Sequence, residues 1–263
     1  MFEINRLWAY RYFILMAVKS DFQTRFSRSF FGGLWGLLNP LAQAAIYAFV
    51  LSYVLSAKLP GVTQKYGYSM YLLSGIVGWA LFNDTLLRSL NMFHEKANEM
   101  QKVAFPRLAI PTIVLMNTLL DNIILILSVI LVALLLGHQF SLALLWLPLL
   151  VVLNGLIAGS FGLFLGVLNV FVRDIGHIIT ITMQFVFWLT PIVYSLDLMP
   201  EGYRKYFLLN PFYHIVSSYQ NVIFYGQNVE LGSLTGMIVL ALTGCTLAFL
   251  AYRKSYSEMM DVL

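Results

Sequence analysis

Apolar residues gather along the chain into six segments, near residues 34–56, 68–90, 108–136, 143–170, 178–195 and 231–252. A run of about 20 apolar residues crosses the hydrocarbon core of a bilayer as a helix. The pattern therefore predicts six membrane-spanning helices. The fifth segment is short and ends at Thr190-Pro191, so its boundary is the least defined. Polar or turn-rich stretches separate the segments at Lys58 to Tyr66, Asn91 to Arg107, Gly137 to Ser141, Phe171 to His177 and Leu196 to Glu230.

Ahead of the first segment, Leu7, Trp8, Phe13, Leu15, Met16, Phe22 and Phe26 alternate with Arg6, Arg11, Lys19, Asp21, Arg25 and Arg28. Recurring charge leaves no apolar h-region, so no cleavable signal peptide is expected. The alternation predicts an amphipathic helix within residues 1–30, lying in the headgroup plane with its basic side chains toward phosphates. The stretch 196–230 is unusual in being apolar yet broken at Asn210-Pro211, because proline disfavours helix in the residue before it. Two short helices are implied, too apolar for water and too short to span. They are either re-entrant or laid on the outer surface.

Composition agrees with a membrane protein. Of 263 residues, 60% are hydrophobic and 11% charged, where soluble domains carry about 25% charged residues. So little charge cannot coat a globular surface, which excludes a soluble enzyme, a disordered chain and a DNA-binding domain. No nucleic-acid partner is expected. The single cysteine, Cys245, excludes an intrachain disulfide.

Lysine and arginine set the orientation. With the N-terminus inside and six spans, the inner side collects Arg6, Arg11, Lys19, Arg25, Arg28, Arg88, Lys96, Lys102, Arg107, Arg173, Arg253 and Lys254. Only Lys58, Lys65, Arg204 and Lys205 fall outside. Both termini are therefore expected in the cytoplasm.

Catalytic chemistry finds little support. There is no P-loop and no G-x-S-x-G. The histidines His94, His138, His177 and His214 fall in four separate connecting stretches with no H-x-x-x-H pair, so no metal site is expected. Charges inside spans are costly and usually face protein or a watery path. Asp84 and Arg88 stand four apart on the second segment and can pair. Asp121 stands on the third. These residues either line a path for a hydrophilic substrate or hold the second and third helices together. Gly155, Gly159, Gly162 and Gly166 share one helix face and permit close packing, within the subunit or between subunits. Gly232 and Gly236 open the last segment. The stretch 91–107 carries Glu95, Lys96, Asn98, Glu99 and Lys102 before Phe105-Pro106-Arg107. It reads either as a short helix that docks a soluble partner or as a plain connection.

Several stretches, in order, resemble one family. These are Gly33-Leu34-Trp35 through Leu38-Asn39-Pro40, then Tyr71 to Trp79 followed by Phe82, and Phe105-Pro106-Arg107 with Pro111 after it. Phe171-Val172-Arg173-Asp174-Ile175, Pro191 with Tyr194, and Leu209-Asn210-Pro211-Phe212 complete the set. The chain resembles the ABC-2 type permeases that export lipid-linked polysaccharides, the O-antigen, capsule and teichoic acid exporters.

The resemblance implies a single ABC-2 type transmembrane domain over residues 1–263, with an all-α fold. It implies a homodimer in a bacterial inner membrane, served by two copies of a separate P-loop ATPase. The chain would be no enzyme alone, and ATP and magnesium would bind the partner. Glu95, Asn98, Glu99, Lys102, Phe105 and Pro106 would belong to the coupling element. The stretch 196–230, with Tyr203, Asn210, Pro211 and Phe212, would be the outer gate. The substrate would be an undecaprenyl-linked glycan, with a drug or small-lipid exporter, or a membrane scaffold, as other readings. Sugars present apolar ring faces as well as hydroxyls, and aromatic side chains pack on such faces. Tyr47, Trp79, Phe82 and Trp188 are therefore candidate path residues, beside Asp84 and Arg88.

Overall fold

A computed structural model describes residues 8–26, 66–97, 108–196 and 199–262, with the isolated positions 38, 42 and 46. The first apolar segment, with Tyr47, otherwise lies outside the described residues. So does most of the stretch 98–107, with Asn98, Glu99, Lys102, Phe105 and Pro106. Eight α-helices occur among the described residues: α1 (Arg11–Phe26), α2 (Gly67–Glu95), α3 (Ala109–Leu135), α4 (Leu147–Phe171), α5 (Asp174–Leu189), α6 (Glu201–Leu208), α7 (Pro211–Gln220) and α8 (Leu231–Val262). Four are long and apolar enough to cross a membrane: α2, α3, α4 with the 3-10 turn that precedes it, and α8. The protein is a polytopic, all-helical membrane protein.

Helix α2 is the axis of the bundle, packed by α3, α4, α5 and α7. Small residues let its neighbours approach. A Cβ added at Gly78 would sit 2.7 Å from the Tyr219 ring, and one at Gly75 2.8 Å from the Gln220 amide. From α4, Gly162 and Gly166 lie against Ser89, where added Cβ atoms would come within 2.6 Å. The glycine stripe of α4 thus serves packing inside the subunit. Gly232 and Gly236 meet nothing within 4 Å.

Polar side chains tie the same helix in place. Asn122 of α3 donates to the Val77 carbonyl at 3.0 Å, and Asn154 of α4 to the Gly78 carbonyl at 2.8 Å. Asn169 of α4 donates to the Leu90 carbonyl at 3.1 Å. The Thr85 hydroxyl donates to that of Thr118 at 2.8 Å. In hydrocarbon such groups need internal partners, and interhelical bonds of this kind hold bundles together.

Two elements differ from expectation. The fifth apolar segment was expected over 178–195, but its helix is Asp174–Leu189, 16 residues and about 24 Å at 1.5 Å per residue. It stops because Pro191 pushes Thr190 into extended backbone, with φ −100° and ψ 132°. The histidines are also not all in loops: His94, His177 and His214 lie on α2, α5 and α7, and only His138 stands in a connection. Among the described residues the segments at 108–136 and 143–170 keep close to the expected bounds, while α2 runs on to Glu95 and α8 past 252 through Arg253 and Lys254.

Helix α1 packs by a narrow edge. Ile14 and Val18 are buried against Ala109 and Ile113 of α3, and the Asn117 amide donates to the Asp21 carboxylate at 3.1 Å. Tyr12, Leu15 and Met16 on it, and Trp8 just ahead of it, are exposed. Arg11 lies over the rings of Trp8 and Tyr12, 5.2 and 4.6 Å from their centroids.

Candidate translocation surface and gate

The chain beyond α5 turns back on itself. Tyr68 donates its hydroxyl to the Val193 carbonyl, and Tyr71 to that of Tyr194 at 3.2 Å. These contacts place residues 191–194 beside the first turns of α2. Helix α6 then returns to the end of α5, where the Asn210 amide donates to the Thr190 hydroxyl at 3.2 Å and to the Leu189 carbonyl at 3.4 Å. The same asparagine accepts from the Phe212 amide at 3.0 Å, capping α7 with Pro211 at its first position. Proline there costs nothing because its missing N–H has no intrahelical partner.

From Asn210, α7 climbs antiparallel to α2. Phe212 meets Phe82, Tyr219 meets Gly78 and Phe224 meets Tyr71. Phe82 lies near the middle of α2, about 22 Å along it from Gly67. The hairpin of α6 and α7 therefore enters the bundle rather than resting on its end. Helix α6 buries no residue and leaves Tyr203 and Tyr206 exposed, whereas α7 buries Ile215, Val216, Tyr219 and Gln220. A π-turn (Asn221–Tyr225) ends in Gly226, whose φ of 64° suits glycine. Ser141, Trp146 and His138 of the α3–α4 connection bond to Gly226, Asn228 and Ile223 and fix that rim. His214 joins Ser233 of α8 to the Leu208 carbonyl.

Of the candidate path residues, Trp79 and Phe82 sit inside the subunit. Trp79 packs edge-on to Phe187 of α5 at 5.6 Å and to Phe212 at 6.2 Å, and Phe82 to Phe212 at 4.9 Å. This cluster joins two expected path residues to one expected gate residue. Trp188 instead points outward, 64% exposed, on one stripe of α5 with Ile178, Ile181 and Phe185. The described residues leave a second stripe open on α2, at Ile76, Ala80, Asn83, Asp84, Leu87, Arg88 and Asn91. Its half toward Glu95 is polar.

Arg88 does not pair with Asp84 as its spacing allows. It reaches across to Asp121 of α3, Nη2 to Oδ2 at 2.8 Å. That pair joins α2 to α3 through Arg88 and Asp121. Asp84 is exposed on α2, with Asn83 donating to it at 3.5 Å. Glu95 ends α2 and lines a cavity of about 420 Å³ with Lys96, Arg88, Asn117, Asp21 and Thr24, which brings the start of the expected coupling element beside α1. No cluster of three metal-ligating side chains occurs among the described residues.

Sequence reading missed the asparagines Asn122, Asn154 and Asn169. The signal was present, since an amide within an apolar span demands a partner. Asn169 also accepts from the Gly176 amide at 2.9 Å, and His94 bonds to the Asn169 carbonyl at 3.1 Å. These bonds bring His94 to the α4–α5 turn, which spacing alone could not show.

The sequence matches the family model described as ABC-2 type transporter over residues 12–224. It is 27% identical over 255 residues to an O-antigen export system permease protein RfbA of Klebsiella pneumoniae, covering 94% of both chains. A protein of the same name from Myxococcus xanthus is 23% identical over 261 residues, covering 97% of this chain and 98% of that one. The polysialic acid transport protein KpsM of Escherichia coli is 24% identical over 249 residues, covering 91% and 92%. With a match across most of its length and a bundle of apolar helices to carry it, the chain belongs to the ABC-2 type transporter family as a multi-pass membrane permease.

Proposed function

We propose that this permease forms half of a pore that exports an undecaprenyl-linked polysaccharide, O-antigen foremost, from the cytoplasm across a bacterial inner membrane. The observation that carries the reading is its end-to-end similarity to permeases named for O-antigen and polysialic acid transport. Two copies of the chain surround the path, and two copies of a separate P-loop ATPase bind beneath and hold the ATP and magnesium. Each subunit contributes six spans, with residues 34–56 as the first, α5 as the fifth and both termini in the cytoplasm.

The open polar stripe of α2 with Asp84 and Arg88, and the outward face of α5 with Trp188, supply the hydroxyl-binding and ring-packing surfaces a glycan needs; Tyr47 is assigned to the same path. Trp79 and Phe82 back that wall through their contact with Phe212. The hairpin bearing Tyr203, Asn210, Pro211 and Phe212 is the outer gate. Glu95, Asn98, Glu99, Lys102, Phe105 and Pro106 form the coupling element that receives the ATPase stroke.

Deletion of the gene tests the reading. Lipid-linked glycan is expected to accumulate inside the cell while its synthesis continues. Normal surface glycan in a clean deletion overturns it, and altered drug sensitivity with surface glycan intact favours export of a drug or small lipid.

A further inference from the structure

Two cavities adjoin α2, α4 and α5, the second reaching α7 and α8 as well. The first, about 610 Å³, lies at the α4–α5 turn and is lined by Asn91 and His94 of α2, Asn169 of α4, Arg173 of the turn, and His177 and Thr180 of α5. The second, about 310 Å³, lies further along and presents apolar surface; its lining includes Phe82 of α2, Phe161 of α4, Thr182 and Met183 of α5, Phe212 of α7 and Leu240 of α8. On α2 and α4 the polar residues lie toward the α4–α5 turn and the apolar ones away from it; on α5 the two kinds interleave. Ile179 lines one cavity and Thr180 the other.

The polar cavity suits an anion. Arg173 supplies a planar fork of donors matched to phosphate oxygens. Helix α5 begins at Asp174 and directs the positive end of its dipole toward the turn. The nearest carboxylates do not line this cavity: Asp174 is exposed, and Glu95 lines the cavity shared with α1. Asn169, nine-tenths or more buried, holds the wall in shape through Leu90 and Gly176. An anionic head with an apolar tail satisfies both compartments at once.

We infer that the two cavities form one site for the phosphate-bearing end of a polyprenyl lipid, with the phosphate at Arg173, His94 and His177 and the first isoprenes between Phe161 and Met183. The inference rests on the reading of the chain as a lipid-linked glycan exporter, which puts the α4–α5 turn on the loading side.

The test is binding to the full-length permease, co-purified with its ATPase, in nanodiscs. The probes are undecaprenyl diphosphate, undecaprenol, inorganic diphosphate and excess phosphatidylglycerol. Undecaprenyl diphosphate is expected to bind in the presence of phosphatidylglycerol, with undecaprenol and inorganic diphosphate each weaker by about tenfold or more. R173Q should lose about tenfold for undecaprenyl diphosphate, and R173K should recover part of the loss. M183W, which fills the apolar compartment, should weaken undecaprenyl diphosphate and leave inorganic diphosphate unchanged. Unchanged affinity in R173Q, displacement by equimolar phosphatidylglycerol, or equal binding of inorganic diphosphate overturns the site. If the site fails while a gene deletion still traps glycan inside, the export reading stands. If the lipid binds as expected but the deletion leaves surface glycan normal, the site stands and the export reading falls.

Discussion

Arg88 of α2 and Asp121 of α3 form an ion pair at 2.8 Å, joining two helices through side chains that are 37% and 25% exposed. At that exposure the pair contributes about 1 kcal/mol. Asp121→Asn should lower the thermal stability of the purified protein by about that amount. The double variant Asp121→Asn, Arg88→Gln should recover most of it, because neither charge is then stranded. A double variant no better than the single one would mean that Arg88 has work beyond Asp121.

Close approach at Gly78 makes a sharper prediction. A methyl group there would strike the Tyr219 ring, whose side chain is fully buried and has no room to withdraw. Gly78→Ala should cost about 1–3 kcal/mol by overpacking and loosen α7 from α2. Gly236→Ala, where nothing lies within 4 Å, should leave the melting midpoint unchanged or raise it slightly, since alanine is the better helix former. Midpoints of the two variants measured side by side decide the matter.

Asn210 holds two structures with one side chain, the cap of α7 and the frayed end of α5. Asn210→Ala should cost about 1–2 kcal/mol through the lost cap alone. Hydrogen exchange should accelerate in residues 186–190 as well as 211–215, since both ends lose their partner. Faster exchange confined to α7 would separate the cap from the tie to α5.

Charge at the coupling element should matter for transport and not for insertion. Glu95→Lys, Glu99→Lys and Lys102→Glu should each reach the membrane at normal abundance, retain ATP hydrolysis by the bound ATPase and lose glycan export. Export at wild-type level in all three would remove the coupling assignment.

Much of this architecture was legible from apolar runs alone. Segments over 68–90, 108–136, 143–170 and 231–252 all emerge as helices, the first and last of these running on beyond their apolar ends, because hydrocarbon imposes both length and helicity. The Asn210-Pro211 break emerges as a helix cap because its chemistry is local. The early end of α5 was half visible in Thr190-Pro191, but the tie from Asn210 that satisfies it comes from 20 residues away. Spacing on one helix suggested Asp84 for Arg88. The choice of Asp121 depends on how α2 and α3 cross, which a periodic pattern does not carry. Aromatic content suggested Trp79 and Phe82 for the path, but their burial is set by α5 and α7 together.

Helix α5 is about 24 Å long, short of the roughly 30 Å of a hydrocarbon core. The hairpin of α6 and α7 is tied to the end of α5 through Asn210. In the six-span arrangement proposed above, the two leaflets of the bilayer would meet unlike surfaces along this flank: a continuous helix in one, and two short helices joined at a proline in the other. Thickness and lipid packing in that second leaflet bear directly on the hairpin and only indirectly on α5. A change of bilayer composition would then act first on the hairpin and reach α5 through the Asn210 tie.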